Sequence, residues 1–159
     1  MAVIRVVCFV LFVGLAAACQ PRCPKCPPMW TFYNGNCYRL FGAGKPYAEA
    51  EKHCQEFSQV GQGHVASVAS AEENNLLFAM FTSASGRNNG LWIGFTDDAE
   101  EGNFVWADGS AVSYTDWNTG EPNNASGNEH CTLLRTVGNW NDGNCNRALA
   151  YVCKMTTTK

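Results

Sequence analysis

TDWNTGEPNNASGNEHCTLLRTVGNWNDGNC, residues 115–145, decides how this chain is read. Its first half, Thr115 to Glu129, is 15 residues of polar sequence rich in Gly and Asn. Structureless segments of that length are uncommon in compact domains and are usually functional or disordered. This one holds Trp117 and Pro122 and runs straight into Cys131, which marks an anchored loop rather than a free linker. Glu121, Asn123, Glu129, Asn141 and Asp142 together supply three carboxylates and two amide carbonyls. These are hard oxygen donors, the type calcium gathers at six to eight coordination. The soft donors zinc prefers are not gathered in the sequence, where the three histidines are widely scattered. A single acidic residue in a loop is ordinarily solvated surface; the ordered set is what points to a cation.

Outward from this stretch the pattern is α+β. Leu91-Trp92-Ile93-Gly94-Phe95 reads as a buried strand, and Phe104-Val105-Trp106 and Val112-Ser113-Tyr114 flank an Asp108-Gly109 turn signal. Cys131 to Leu134 and Ala148 to Cys153 close the chain as two short strands. Near the start, Trp30 to Tyr33 and Cys37 to Phe41 surround Asn34-Gly35, a strong hairpin turn signal. From Pro46 to Phe57 the apolar spacing becomes helical, with Tyr47, Ala50, Cys54 and Phe57 on one face and Pro46 in the first turn. Ser70 and Glu73 have capping-box spacing and predict a second helix whose apolar face is Leu77, Met80 and Phe81. Two helices early, then mostly antiparallel strands, is the expected architecture.

The N-terminus reads as a secretory signal peptide over residues 1–19. Arg5 supplies the charge, Val6 to Leu15 the apolar run, and Ala16-Ala17-Ala18 the small-residue cleavage region. The run is shorter than the roughly 20 apolar residues a membrane span needs. Residues 20–25 form a short Cys/Pro-rich segment ahead of one domain, 26–154. An exported chain with this many cysteines is expected to carry disulfides, though sequence does not fix their pairing. A formal charge of −3, with no Lys/Arg cluster, excludes a nucleic-acid partner. Neither membrane insertion nor an enzyme is expected: no nucleophile motif appears, and carboxylates committed to a cation make poor general acids.

From Cys26 to Cys153 the chain resembles a C-type lectin carbohydrate-recognition domain. The landmarks are Cys26-Pro27, Trp30, Cys37-Tyr38, Cys54, Ser70-Ala71-Glu72-Glu73, Trp92-Ile93-Gly94, Trp117, Glu121-Pro122-Asn123, Glu129, Cys131, Trp140-Asn141-Asp142, Cys145 and Cys153. The resemblance implies bridges Cys26–Cys37, Cys54–Cys153 and Cys131–Cys145, and a cis bond before Pro122. It implies one Ca2+ ringed by Glu121, Asn123, Glu129, Asn141 and Asp142. It further implies that two neighbouring sugar hydroxyls complete the calcium shell, held by Glu121, Asn123, Glu129 and Asn141. In the family the order Glu-Pro-Asn goes with equatorial vicinal hydroxyls, as in mannose, fucose and N-acetylglucosamine, and Gln-Pro-Asp with galactose. The expected function is therefore calcium-dependent binding of mannose-type glycans by a secreted protein, in innate recognition or agglutination of microbes. The competing reading is a lectin-like structural protein of extracellular matrix or biomineral.

Some residues depart from the family pattern. Many members hold a second calcium. Asp97 and Glu101 match its ligands, but Asn124 and His130 stand where acidic residues are usual, so that site is expected to be weak or empty. Asn124-Ala125-Ser126 is an N-glycosylation sequon beside the predicted site. Cys23, outside the implied pairs, is read as an interchain bridge making a disulfide-linked homo-oligomer; a local Cys19–Cys23 bridge and a capped thiol are the alternatives. Trp92, Trp106 and Tyr151 are expected in the core, and Trp117 and Trp140 beneath the site.

Overall fold

A computed structural model describes residues 26–84 and 90–157. The predicted leader, residues 1–19, and Cys23 lie outside the described residues. Strands β1 (Thr31–Tyr33) and β2 (Asn36–Lys45) form the expected hairpin. Asn34 and Gly35 both take positive φ, 43° and 78°, the conformation a tight two-residue turn demands. Helix α1 (Tyr47–Gln55) buries Tyr47, Ala50 and Cys54, and Pro46 sits just before its first residue. Strand β3 (Gly63–Val65) follows, then α2 (Ala71–Ser83), which buries Leu77 and Phe81 while Met80 stays half-buried.

Strands β4 (Leu91–Thr96), β5 (Val105–Trp106), β6 (Cys131–Leu134), β7 (Trp140–Gly143) and β8 (Leu149–Thr156) complete one sheet with the order β1-β2-β8-β4-β6-β7. β3 pairs with β8, and β5 with β4. The sheet is mixed rather than wholly antiparallel, because β4 and β8 run parallel through Leu91↔Ala150 and Trp92↔Tyr151. Parallel neighbours need a long crossover. Here the whole stretch from β5 to β7, the polar loop included, makes that connection. Val112-Ser113-Tyr114 forms no strand: Val112 and Ser113 are exposed and find no ladder partner.

The core lies in two apolar clusters. Tyr38, Val68, Leu77, Leu91, Ile93, Phe95 and Trp140 belong to one, and Tyr47, Cys54, Trp92, Tyr151 and Cys153 to the other. Trp92, Trp106 and Tyr151 are buried as expected. Gly94 explains its place in Trp92-Ile93-Gly94: a Cβ there would lie 2.3 Å from the carbonyl oxygen of Val65. The three implied disulfides are present, Cys26–Cys37, Cys54–Cys153 and Cys131–Cys145. Among the described residues no helix is long and apolar enough to cross a membrane.

Candidate functional site

The polar loop is held by β7. Trp117 and Trp140 form an isolated bridge, with Asn118 N–H on the Trp140 carbonyl and Trp140 N–H on the Asp116 carbonyl, both at 2.8 Å. Below this, Trp140 is fully buried, and its ring meets Phe95, Trp106, Tyr114 and Trp117 at centroid distances of 5.7 to 5.9 Å. Asn74 of α2 supplies a strut that the sequence did not signal. Its oxygen accepts from Trp140 Nε1 at 2.8 Å, and its nitrogen donates to the Gly138 carbonyl at 2.9 Å and to Asp116 Oδ2 at 3.2 Å. On a helical wheel Asn74 reads only as a polar neighbour of the apolar face, and a buried amide with three partners has no sequence signature.

β7 carries Asn141 and Asp142 out of this aromatic base and into the loop. Asp142 is fully buried and its carboxylate accepts from the backbone N–H groups of Asn123, at 3.0 and 3.2 Å, and Asn124, at 2.6 Å. The segment after Pro122 is thereby folded over Asp142. The Glu121–Pro122 peptide is cis. Asn141 Nδ2 donates to the carbonyl of Asp142. Asn124, left-handed at φ 42°, ψ 52°, accepts from Glu129 N–H at 3.0 Å through its side-chain oxygen, and Ala125 N–H donates to Glu129 Oε2 at 3.2 Å. Glu121, Asn123, Glu129, Asn141 and Asp142 are thus collected from 22 residues of chain into one loop and its supporting strand.

Charge is crowded there. Burial pushes the Glu121 carboxyl above its ordinary pKa, and the Asp142 carboxylate, within hydrogen-bonding reach, and the charge of Glu129 push it further; Arg135 opposes them. Glu121 Oε2 is buried with no hydrogen-bond partner. An unpaired buried carboxylate oxygen is costly. A hard cation beside it answers the deficit, and the donor set of carboxylates and amide oxygens fits one.

The residues expected at a second metal divide. Asp97, Glu101 and His130 each offer a donor atom, all within 4.8 Å of one another. Asn124 lines the same cleft, and its side-chain oxygen accepts from Glu129 N–H. Histidines scattered in sequence are therefore not all remote in space: His130 meets Asp97 and Glu101, His64 meets Glu51 at 2.6 Å, and His53 meets the Tyr151 hydroxyl at 2.8 Å. Asp97, Glu101, Phe104, Pro122, Asn124 and Asp142 line a single cleft of about 220 Å3, so the two carboxylate groups share a wall.

This fold and loop define a carbohydrate-binding module. The Lectin C-type domain matches residues 43–155, and the chain belongs to that family, whose members bind carbohydrate and are not enzymes. It is 62% identical, over 99% of both chains, to the alpha-N-acetylgalactosamine-specific lectin of Patiria pectinifera. The C-type lectin CEL-I of Cucumaria echinata superposes with a TM-score of 0.80 at 32% identity, over 84% of this chain and 99% of that one. The cow CD23 carbohydrate-recognition domain, solved in the presence of a GlcNAc2Man3 oligosaccharide, superposes with a TM-score of 0.75 at 31% identity, over 86% of this chain and all of that one.

Proposed function

We propose that this chain is a secreted, calcium-dependent lectin for sugars with equatorial vicinal hydroxyls: mannose, fucose and N-acetylglucosamine. The observation that carries the calcium reading is Glu121 Oε2, buried and unpaired beside Asp142 and Glu129. Glu121, Asn123, Glu129, Asn141 and Asp142 would hold the ion, which supplies coordination to two neighbouring sugar hydroxyls. The side chains supply the rest. A carboxylate only accepts hydrogen bonds and an Asn amide also donates. Glu121 and Glu129 therefore accept hydrogen bonds from hydroxyls, while Asn123 and Asn141 donate hydrogen bonds to them. The order Glu121-Pro122-Asn123 sets which hydroxyl geometry meets which partner, and this supports the mannose-type reading. Asp142 binds the backbone of Asn123 and Asn124 and keeps that order in place.

A second sugar class has its own support. The Patiria pectinifera relative, at 62% identity, is named for N-acetylgalactosamine. The two readings separate by affinity chromatography. The protein is loaded on mannose-agarose in millimolar calcium and challenged with free mannose, N-acetylgalactosamine, galactose and chelator. Elution by mannose and by chelator supports the mannose-type reading. Absence of retention on mannose, with retention on the same resin carrying N-acetylgalactosamine, moves the assignment to the second class, and retention unaffected by chelator removes calcium from it.

Ala125 adds little apolar surface beside the sugar, so binding of one monosaccharide is expected to be loose. Useful avidity then comes from several linked sites. Cys23 would link chains, and agglutination of glycan-bearing microbes would be the role that arrangement suits.

A further inference from the structure

His130 stands where a second calcium would need a carboxylate, and the fold turns its ring toward the two acidic side chains that remain. Its Nδ1 lies 3.2 Å from Asp97 Oδ1 and 3.3 Å from Glu101 Oε2. Both sides of the cluster are fixed from behind. Asp97 is only 2% exposed, and its other oxygen accepts from Gly102 N–H at 2.8 Å. The His130 carbonyl accepts from Thr96 Oγ1 at 2.6 Å and from Asp97 N–H at 3.2 Å. The bond to Asp97 Oδ2 is the kind of outer hydrogen bond that orients a metal-binding side chain before the ion arrives, while those at the His130 carbonyl fix its backbone. Glu101 is exposed and closes the group from the solvent side.

Calcium does not suit this set. It asks for six to eight oxygens. One of the three donors here is an imidazole nitrogen, and only two are carboxylates. One imidazole and two carboxylates, with the cleft open to water for a further position, is a donor set that borderline divalent ions accept, zinc above all. We propose that Asp97, Glu101 and His130 form a zinc-class metal site on the wall of the cleft they share with the calcium loop, distinct from the calcium position. Neutral His130 gives its Nδ1 lone pair, and any proton it carried leaves to solvent. The site goes beyond the sugar-binding reading and stands whether or not mannose is the ligand.

The test is calorimetric titration of zinc chloride into the full chain held in millimolar calcium. One zinc per chain is expected. Glu101→Gln, a change at an exposed side chain that leaves the fold intact, and His130→Ala should each weaken zinc binding by at least about tenfold. His53→Ala and His64→Ala should leave it unchanged. His130→Asp should lose zinc and take up a second calcium. No zinc uptake overturns the proposal. So does uptake that survives both Glu101→Gln and His130→Ala, or uptake that calcium abolishes in the parent chain. Melting curves of each variant without metal show that a lost site is not a lost fold.

Discussion

Glu121 presents a buried oxygen that no group among the described residues answers. Its neighbours make matters worse, since Asp142 and Glu129 add charge of the same sign. Without a cation this crowding opposes the fold, and under the proposed calcium reading a bound ion would turn it into the binding force. Glu121→Gln should therefore split the two effects. The apo protein is expected to melt at the parent temperature or above it, while retention on mannose-agarose is lost. A parallel fall in apo melting temperature would mean that Glu121 is structural. The sugar preference is argued at the same scale. Changing Glu121→Gln together with Asn123→Asp exchanges the donor and acceptor ends of the motif, and elution should shift from mannose toward galactose. The order of these residues was readable directly, because a short motif carries its hydrogen-bonding logic in its side-chain types. What Asn124 does was not. Its left-handed backbone lets its side-chain oxygen accept from Glu129 N–H, and no spacing rule announces that.

Helix α2 shows what an element-level signal delivers and where it ends. Ser70 does cap the helix, accepting from Glu73 N–H at 3.3 Å. The reciprocal half of the capping box is not made to Ser70. Glu73 Oε2 accepts from Ala69 N–H at 2.7 Å, and Oε1 receives Lys154 Nζ at 2.6 Å together with the Tyr38 hydroxyl. Lys154 also donates to the Ser67 hydroxyl and carbonyl, so α2, β2 and β8 meet at one buried carboxylate. The helix was legible from spacing; its tie to the sheet was not, because Tyr38 and Lys154 are 35 and 81 residues from Glu73. Burial of the pair makes breaking it costly. Glu73→Ala leaves Lys154 buried without a counter-charge and should cost about 3–5 kcal/mol. Replacing both, Glu73→Leu with Lys154→Met, should recover much of that loss. Urea unfolding of the two variants checks it. If the double variant were as unstable as the single one, the hydrogen bonds to Tyr38 and Ala69, rather than charge pairing, would be the tie.

At the scale of the molecule, covalent links act at two levels. Cys54–Cys153 spans 99 residues and joins α1 to the last strand; in the chain-entropy model such a loop stabilises by about 4–5 kcal/mol. Cys131–Cys145 spans 14, worth about 3 kcal/mol in the same model, and fastens β6 beside the strand that carries Asn141 and Asp142. These bridges hold one site in shape but do nothing to join one site to another. Pro122, Asn123 and Ala125 are all exposed, and on the proposed reading a single domain would grip a monosaccharide loosely. Cys23, three residues ahead of the bridged Cys26, is where the chain would supply the missing link. Cys23→Ser should convert a disulfide-linked species into single chains on a non-reducing gel, with the melting temperature unchanged. Competition by free mannose should be the same for variant and parent, because each site is intact. Binding to a glycan-coated surface should fall by about 10²- to 10⁴-fold, the range that linkage of sites contributes. Equal surface binding by both forms would show that the chain works one site at a time, and agglutination would then need a different linkage.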